Sequence, residues 1–214
     1  EYTSSGYIMV LKHDSDGISD EDMWKQLQKE YKDKYDMSWI GQYGFNNTYA
    51  LIIREEAAKK YNLTKTSQLA DVSDELVFGG NSDYIERKDG FHLLCDTYGL
   101  KFKDVKDIDI GLKYEALKKG DIDVSNGFTT DAQLSNDNVR VLEDDKHLQV
   151  NYFCSNVIRN DTLKSHPGLE EAIMKLDNSI TDKEMASLNY KVEVEGKEDV
   201  QVAKDYLTEK GIIK

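Results

Sequence analysis

Residues 44–61 read GFNNTYALIIREEAAKKY. The first four positions favour a turn, because glycine and asparagine adopt turn conformations readily. Residues 49–53 are apolar and rich in β-branched side chains, which predicts a buried strand, and residues 55–61 then predict a helix. A strand that leads directly into a helix is the repeating unit of α/β proteins.

The alternation of strands and helices recurs along the chain. Residues 76–78 predict a short strand that stops at Gly79-Gly80, before a helix that Ser82 can cap. Further strands are predicted at residues 7–11, 39–43, 122–124, 139–142 and 151–159, and further helices after Ser19 and at residues 93–98, 113–119, 169–176, 182–188 and 200–210. This alternation predicts an α/β fold with largely parallel sheets.

Charge and composition exclude several classes of partner. The 214 residues include 28 Lys+Arg and 41 Asp+Glu, a net charge of −13. Nucleic acids and anionic membranes need a basic surface, so neither is expected as a partner. No apolar run approaches the roughly 18 residues of a membrane span. Cys95 and Cys154 form no metal-ligand pattern and favour two buried free thiols over a disulfide.

Catalytic motifs are missing from the sequence. The four histidines have no partner at helix-face spacing, and GxSxG, GxxxxGK[ST] and GxGxxG do not occur. We therefore expect a binding protein rather than an enzyme, with neither cofactor nor metal.

Aromatic residues stand in turns and at strand ends among small polar residues. They are Tyr49, Tyr84, Phe128 and Tyr152. Aromatic faces that converge can hold a quaternary ammonium, each face contributing roughly 0.5–2 kcal/mol. Ordinary core packing is the alternative for each ring.

The order of several motifs identifies a family. GFNNTYALIIR (residues 44–54) resembles the GFNNTYALAVR of OpuB/OpuC-type substrate-binding proteins, which serve ABC importers for glycine betaine, choline and carnitine. EYTSSG (residues 1–6) is similar to EYTGT of the same proteins. Further similar stretches are ERKDGFHLL (86–94), YGLKF (98–102), VLEDDKH (141–147) and NYKVEVEGK (189–197). The family includes a relative that binds ergothioneine.

The resemblance implies a fold and a division of the chain. The expected fold is the two-lobed α/β clamp of type II periplasmic binding proteins, with chain crossings near residues 44–49 and 152–159. Residues 1–45 and 160–214 would belong to the first lobe, and residues 46–159 to the second.

Site residues also follow from the resemblance. The relatives' aromatic cage corresponds to Tyr49, Tyr152 and Phe128, or Thr129 if the register shifts, with Ser5 at a hydroxyl position. Tyr84 is a further aromatic candidate. Candidates for the carboxylate of a betaine-like ligand are Asn47, Asn81, Ser82 and Thr130. Asp83 can contact a cation, or cap its helix and pair with Arg87.

The expected pocket departs from the family pattern. Phe128 replaces a Tyr or Trp, and Val150-Asn151-Tyr152-Phe153 stands where relatives often have PPYY. Additional amides at Asn126, Asn151 and Asn156 would suit ergothioneine or another betaine with a polar tail.

The implied function is capture of a quaternary-ammonium solute for an ABC importer. The protein would work at the extracellular face of a bacterial membrane, as a lipoprotein or fused to a permease, with the permease as partner. The alternative is an engineered or regulatory sensing module built on the same binding domain.

The resemblance also generates a prediction about unfolding. It begins inside the relatives' first lobe, so we expect the N-terminal part of that lobe to be missing from the 214 residues. Such a chain would expose first-lobe core and melt with poor cooperativity in calorimetry. A sharp two-state transition of the 214 residues would contradict this expectation.

Overall fold

The chain passes twice between two units in a computed structural model. Unit 1 is Glu1–Thr48 with Val150–Lys214, and unit 2 is Tyr49–Gln149. The structure describes residues 1–15, 17–86, 90–109, 111–135 and 138–214. The second passage lies earlier than the expected 152–159, because the strand Asn156–Arg159 pairs with Met37–Ile40 inside unit 1.

Strands and helices follow each other in the described residues. The strands are β1 (Met37–Ile40), β2 (Tyr49–Arg54), β3 (Val77–Gly80), β4 (Asp104–Asp107), β5 (Val124–Phe128), β6 (Val139–Leu142) and β7 (Asn156–Arg159). The helices are α1 (Asp20–Tyr35), α2 (Glu55–Tyr61), α3 (Ser82–Glu86), α4 (Phe91–Tyr98), α5 (Lys113–Lys119), α6 (Asn160–Ser165), α7 (Leu169–Met174), α8 (Asp182–Glu193) and α9 (Asp199–Glu209). No described helix has the length and apolar character that a bilayer span requires.

Unit 2 is built on a five-stranded sheet in the order β4-β3-β5-β2-β6. β3 is parallel to β4 and β5, whereas β2 is antiparallel to β5 and β6. The α/β prediction is confirmed, but the expectation of largely parallel sheets was wrong. The chain enters unit 2 along β2, and an apolar run does not reveal the direction of its strand.

β2 lies in the middle of the core of unit 2. Leu51 and Ile53 pack with Phe78 and Val124 on one face of the sheet. Ile52 packs on the other face with α5. Both isoleucines are fully buried. Burial on two faces explains why the strand is almost continuously apolar.

Asp123, just before β5, joins three strands at one end of the sheet. Its carboxylate accepts hydrogen bonds from Arg54 Nε at 2.7 Å and from the Val77 backbone N–H at 2.9 Å. Arg54 ends β2 and Val77 begins β3. These bonds fix the relative register of β2, β3 and β5 at the end of β2 that is remote from Tyr49.

Unit 1 contains the β1–β7 pair and the helices that pack on it. Ser19 caps α1 as expected, accepting a hydrogen bond from the Asp22 N–H at 3.1 Å. The strand predicted at residues 7–11 was wrong: Ser5–Val10 is a π-helical segment. Tyr7 and Leu11, four residues apart, are both buried beside α1. A short apolar run fits a helix or a strand equally well, so periodicity could not distinguish them.

Gly127 provides a test of the packing in unit 2. A Cβ at this position would lie 2.1 Å from Ile52 Cδ1 and 2.9 Å from Asp131 Oδ2. We expect Gly127→Ala to destabilise β2 and β5 by about 1–3 kcal/mol through overpacking, measured as faster amide hydrogen exchange in both strands. Gly111→Ala is the control, because its Cβ would meet only Asp109 Oδ1 at 3.3 Å. Equal exchange in the two variants would contradict the packing described.

Candidate ligand-binding site

Three of the predicted aromatic residues meet at one end of the unit 2 sheet. The β2–β5 register places Tyr49 opposite Phe128. Their ring centroids are 5.0 Å apart with planes 27° from parallel, and Tyr84 lies 5.5 Å from Tyr49. We call Tyr49, Tyr84 and Phe128 the aromatic group. Phe128, rather than Thr129, is the residue opposite Tyr49.

The three rings differ in exposure. Tyr84 is 5% exposed and stacks on Phe78 in the core, with centroids 6.3 Å apart. Tyr49 and Phe128 are half-buried. Core packing therefore describes Tyr84, which packs against Tyr49, whereas Tyr49 and Phe128 are only partly buried.

A turn after β5 holds Phe128 in place. The Asp131 N–H donates to the Phe128 carbonyl at 3.0 Å. In return, Asp131 Oδ2 accepts hydrogen bonds from the Phe128 N–H at 3.1 Å and from the Tyr114 hydroxyl at 2.6 Å. Thr130, a predicted ligand contact, lies inside this turn and is 6% exposed.

Lys113, which the sequence analysis did not select, lies beside this turn. It is 6% exposed, and its Nζ is 3.0 Å from Asp131 Oδ2. The same Nζ lies 5.9 Å from the centroid of the Phe128 ring. A sequence signal existed: Lys113 precedes Ala116 and Leu117 by three and four residues, which places it on the buried face of α5.

The turn after β3 contains further predicted residues. α3 begins at Ser82, whose hydroxyl donates to the Asp107 carboxylate at 2.7 Å. Asp83 is exposed, and its expected partner Arg87 lies outside the described residues. The Asn81 carbonyl accepts a hydrogen bond from the Ile85 N–H at 3.1 Å, at the start of the same helix.

Only one of the three additional amides shares a sheet face with Phe128. Asn126 is two residues before Phe128 in β5, and it is 5% exposed.

The side chain of Asn151 is hydrogen-bonded to Asn46 and Asp20, at 2.7 and 2.8 Å respectively. Asn156 Oδ1 accepts from the Tyr43 hydroxyl at 2.8 Å. The amides of Asn151 and Asn156 therefore hold unit 1 together.

Unit 1 brings Asn47 and Tyr152 together. The Asn47 N–H donates to the Tyr152 carbonyl at 3.0 Å, and the Tyr152 N–H donates to Asn46 Oδ1 at 2.6 Å. Asn47 Nδ2 also donates to the Tyr2 hydroxyl at 3.0 Å, and burial raises the pKa of that phenol. Ser5 begins the π-helical segment and is half-buried.

Comparisons with known proteins agree on one family. Residues 1–209 match the family described as the substrate-binding domain of ABC-type glycine betaine transport systems. The ergothioneine transport permease/ergothioneine binding protein EgtU of Helicobacter pylori is 36% identical, over 99% of this chain and 38% of that protein. The carnitine transport binding protein OpuCC of Listeria monocytogenes is 36% identical, over 85% of this chain and 59% of that protein. The chain thus spans less than two thirds of either relative.

A solved structure also matches in three dimensions. A glycine betaine/carnitine/choline ABC transporter structure superposes with a TM-score of 0.91 at 35% identity, covering 99% of this chain and 77% of that one. The chain therefore belongs to the family of substrate-binding domains of ABC-type glycine betaine transport systems, and it has their α/β periplasmic-binding-protein fold.

Proposed function

We propose that this chain is the extracytoplasmic solute-binding component of an ABC importer and captures a quaternary-ammonium or betaine-type solute. The observation that carries the proposal is the pair of half-buried rings of Tyr49 and Phe128, 5.0 Å apart, in a chain of this family. The solutes named for the relatives, namely ergothioneine, carnitine, choline and glycine betaine, all carry a methylated ammonium group.

Aromatic rings suit this group for a physical reason. A quaternary ammonium has no N–H to donate, so hydrogen bonds cannot hold it. The negative face of an aromatic ring attracts it instead, with roughly 0.5–2 kcal/mol per face, and more strongly when water is excluded. The net charge of −13 adds a weak general attraction for cations.

The remaining predicted contacts are part of the proposal. Amides, hydroxyls and backbone N–H groups would bind the carboxylate of a betaine-like ligand. The candidates for this contact are Asn47, Asn81, Ser82 and Thr130. Ser5 and Tyr152 would belong to the cage around the ammonium group, and Asp83 would contact the cation. Tyr84 supports Tyr49. Asn126 joins the amide candidates because it shares the face of Phe128.

The assembly and its location follow from the same proposal. Units 1 and 2 would be the two lobes of the clamp, and a permease subunit or fused permease domain would be the partner. EgtU of H. pylori is named as both a permease and a binding protein. The protein would work at the extracellular face of a bacterial membrane, as a carrier that releases its ligand unchanged. The transport roles named for the relatives favour this function over a sensing module.

Calorimetric titration with choline, glycine betaine, carnitine and ergothioneine tests the proposal. We expect at least one of them to bind, and we expect Phe128→Ala and Tyr49→Ala each to weaken binding by at least about 1 kcal/mol through loss of an aromatic face. Tyr152→Ala tests the remaining predicted aromatic residue in the same way.

The matched control is Tyr35→Ala, which removes an exposed tyrosine of α1. Its affinity should stay that of the unmodified protein. Absence of binding to all four solutes, or unchanged affinity in both Phe128→Ala and Tyr49→Ala, would contradict the proposed function.

A further inference from the structure

An ion pair between the buried Lys113 and the partly buried Asp131 lies next to one wall of the aromatic group. Lys113 is 6% exposed, and its Nζ lies 3.0 Å from Asp131 Oδ2 and 5.9 Å from the Phe128 ring centroid. Stability alone is a weak reason for such a pair, since replacing a buried ion pair by apolar residues is often neutral or stabilising. The placement of the pair suggests a role in binding.

We propose that the Lys113–Asp131 pair positions Phe128 and sets the charge beside it, so that the pair determines how strongly the site prefers a cation over a neutral molecule of the same shape. This inference rests on the proposed function. It makes Lys113 and Asp131 positioning and specificity residues, which need not touch the ligand.

The positioning part follows from the hydrogen bonds of Asp131. One oxygen, Oδ2, accepts from the Phe128 N–H, the Tyr114 hydroxyl and Lys113 Nζ. The same oxygen lies 2.9 Å from where a Cβ of Gly127 would stand, so the carboxylate packs directly against the end of β5. Loss of this acceptor would release the backbone that carries the Phe128 ring.

The charge part follows from distance. A cation bound to Phe128 lies within about 6 Å of the ring centroid, and Lys113 Nζ is 5.9 Å from that centroid. Together, the two charges of the pair largely cancel at the ligand. Alone, Lys113 would repel the cation and Asp131 would attract it, each by about tenfold in affinity at an effective dielectric constant near 20. A neutral ligand would experience neither effect.

The inference is testable because substitutions of Lys113 and Asp131 are expected to change the preference for a cation in opposite directions. Choline and its neutral carbon isostere, 3,3-dimethylbutan-1-ol, are titrated against the full chain and the variants, and the ratio of the neutral Kd to the choline Kd is measured. We expect Asp131→Asn to lower this ratio by about tenfold and Lys113→Met to raise it by about as much. The double variant should return close to the unmodified ratio.

The matched control breaks another ion pair of unit 2. Glu55 accepts from Arg140 Nη2 at 2.6 Å, just beyond the opposite end of β2 from Tyr49. Glu55→Gln should leave the ratio unchanged. If Lys113 and Asp131 served folding alone, each variant would change the affinities for choline and for the neutral alcohol by the same factor. Equal ratios in the folded Asp131→Asn and Lys113→Met variants, or shifts of the same sign, would overturn the inference.

A second readout separates this inference from the proposed function. Without ligand, amide hydrogen exchange at Phe128 should accelerate in Asp131→Asn and stay slow in Lys113→Met, because only the first variant removes the anionic acceptor. Unchanged exchange in Asp131→Asn would overturn the positioning role even if choline does not bind. If Asp131→Asn does not fold, a ratio that fails to rise in Lys113→Met overturns the charge role.

Discussion

The antiparallel register of β2 against β5 is the constraint on which the candidate site depends. It runs from Ile53 opposite Val124 to Tyr49 opposite Phe128. Side chains alternate between the two faces of a strand, so a slip of one residue would put Tyr49 and Phe128 on different faces. The buried Ile52 and Ile53 prevent this slip, because each already fills one face of the core. Gly127 leaves the space that the Ile52 side chain needs.

Two aspartates secure the ends of this strand pair. Asp123, before β5, binds Arg54 and the start of β3. Asp131, after β5, binds the Phe128 backbone and the side chains on α5. The first fixes the sheet, and the second fixes the ring that we propose as a wall of the site. The packing of the core strands therefore determines where the Phe128 ring lies at the end of the sheet.

Local patterns predicted the elements around residues 44–61 because that segment has a clear strand and a clear helix. Tyr49 and Phe128 were selected as aromatic residues in turns and at strand ends and were then assigned to a cage through family resemblance, and the structure brings them together. The core position of Tyr84 was less predictable, because an aromatic residue after a glycine turn fits a core or a binding wall. Likewise, the direction of β2 and the helical form of Ser5–Val10 depend on tertiary contacts that a short apolar run does not encode. The ion pair of the buried Lys113 was also not predicted from local patterns, because its partner Asp131 lies 18 positions away along the chain.

The most direct test of the central claim is an NMR measurement of contacts between the ligand's N-methyl protons and the aromatic ring protons of the protein. We predict nuclear Overhauser effects from the N-methyl groups of a bound quaternary-ammonium solute to both Tyr49 and Phe128. N-methyl contacts that involve neither ring, in a protein that binds the solute, would contradict the claim.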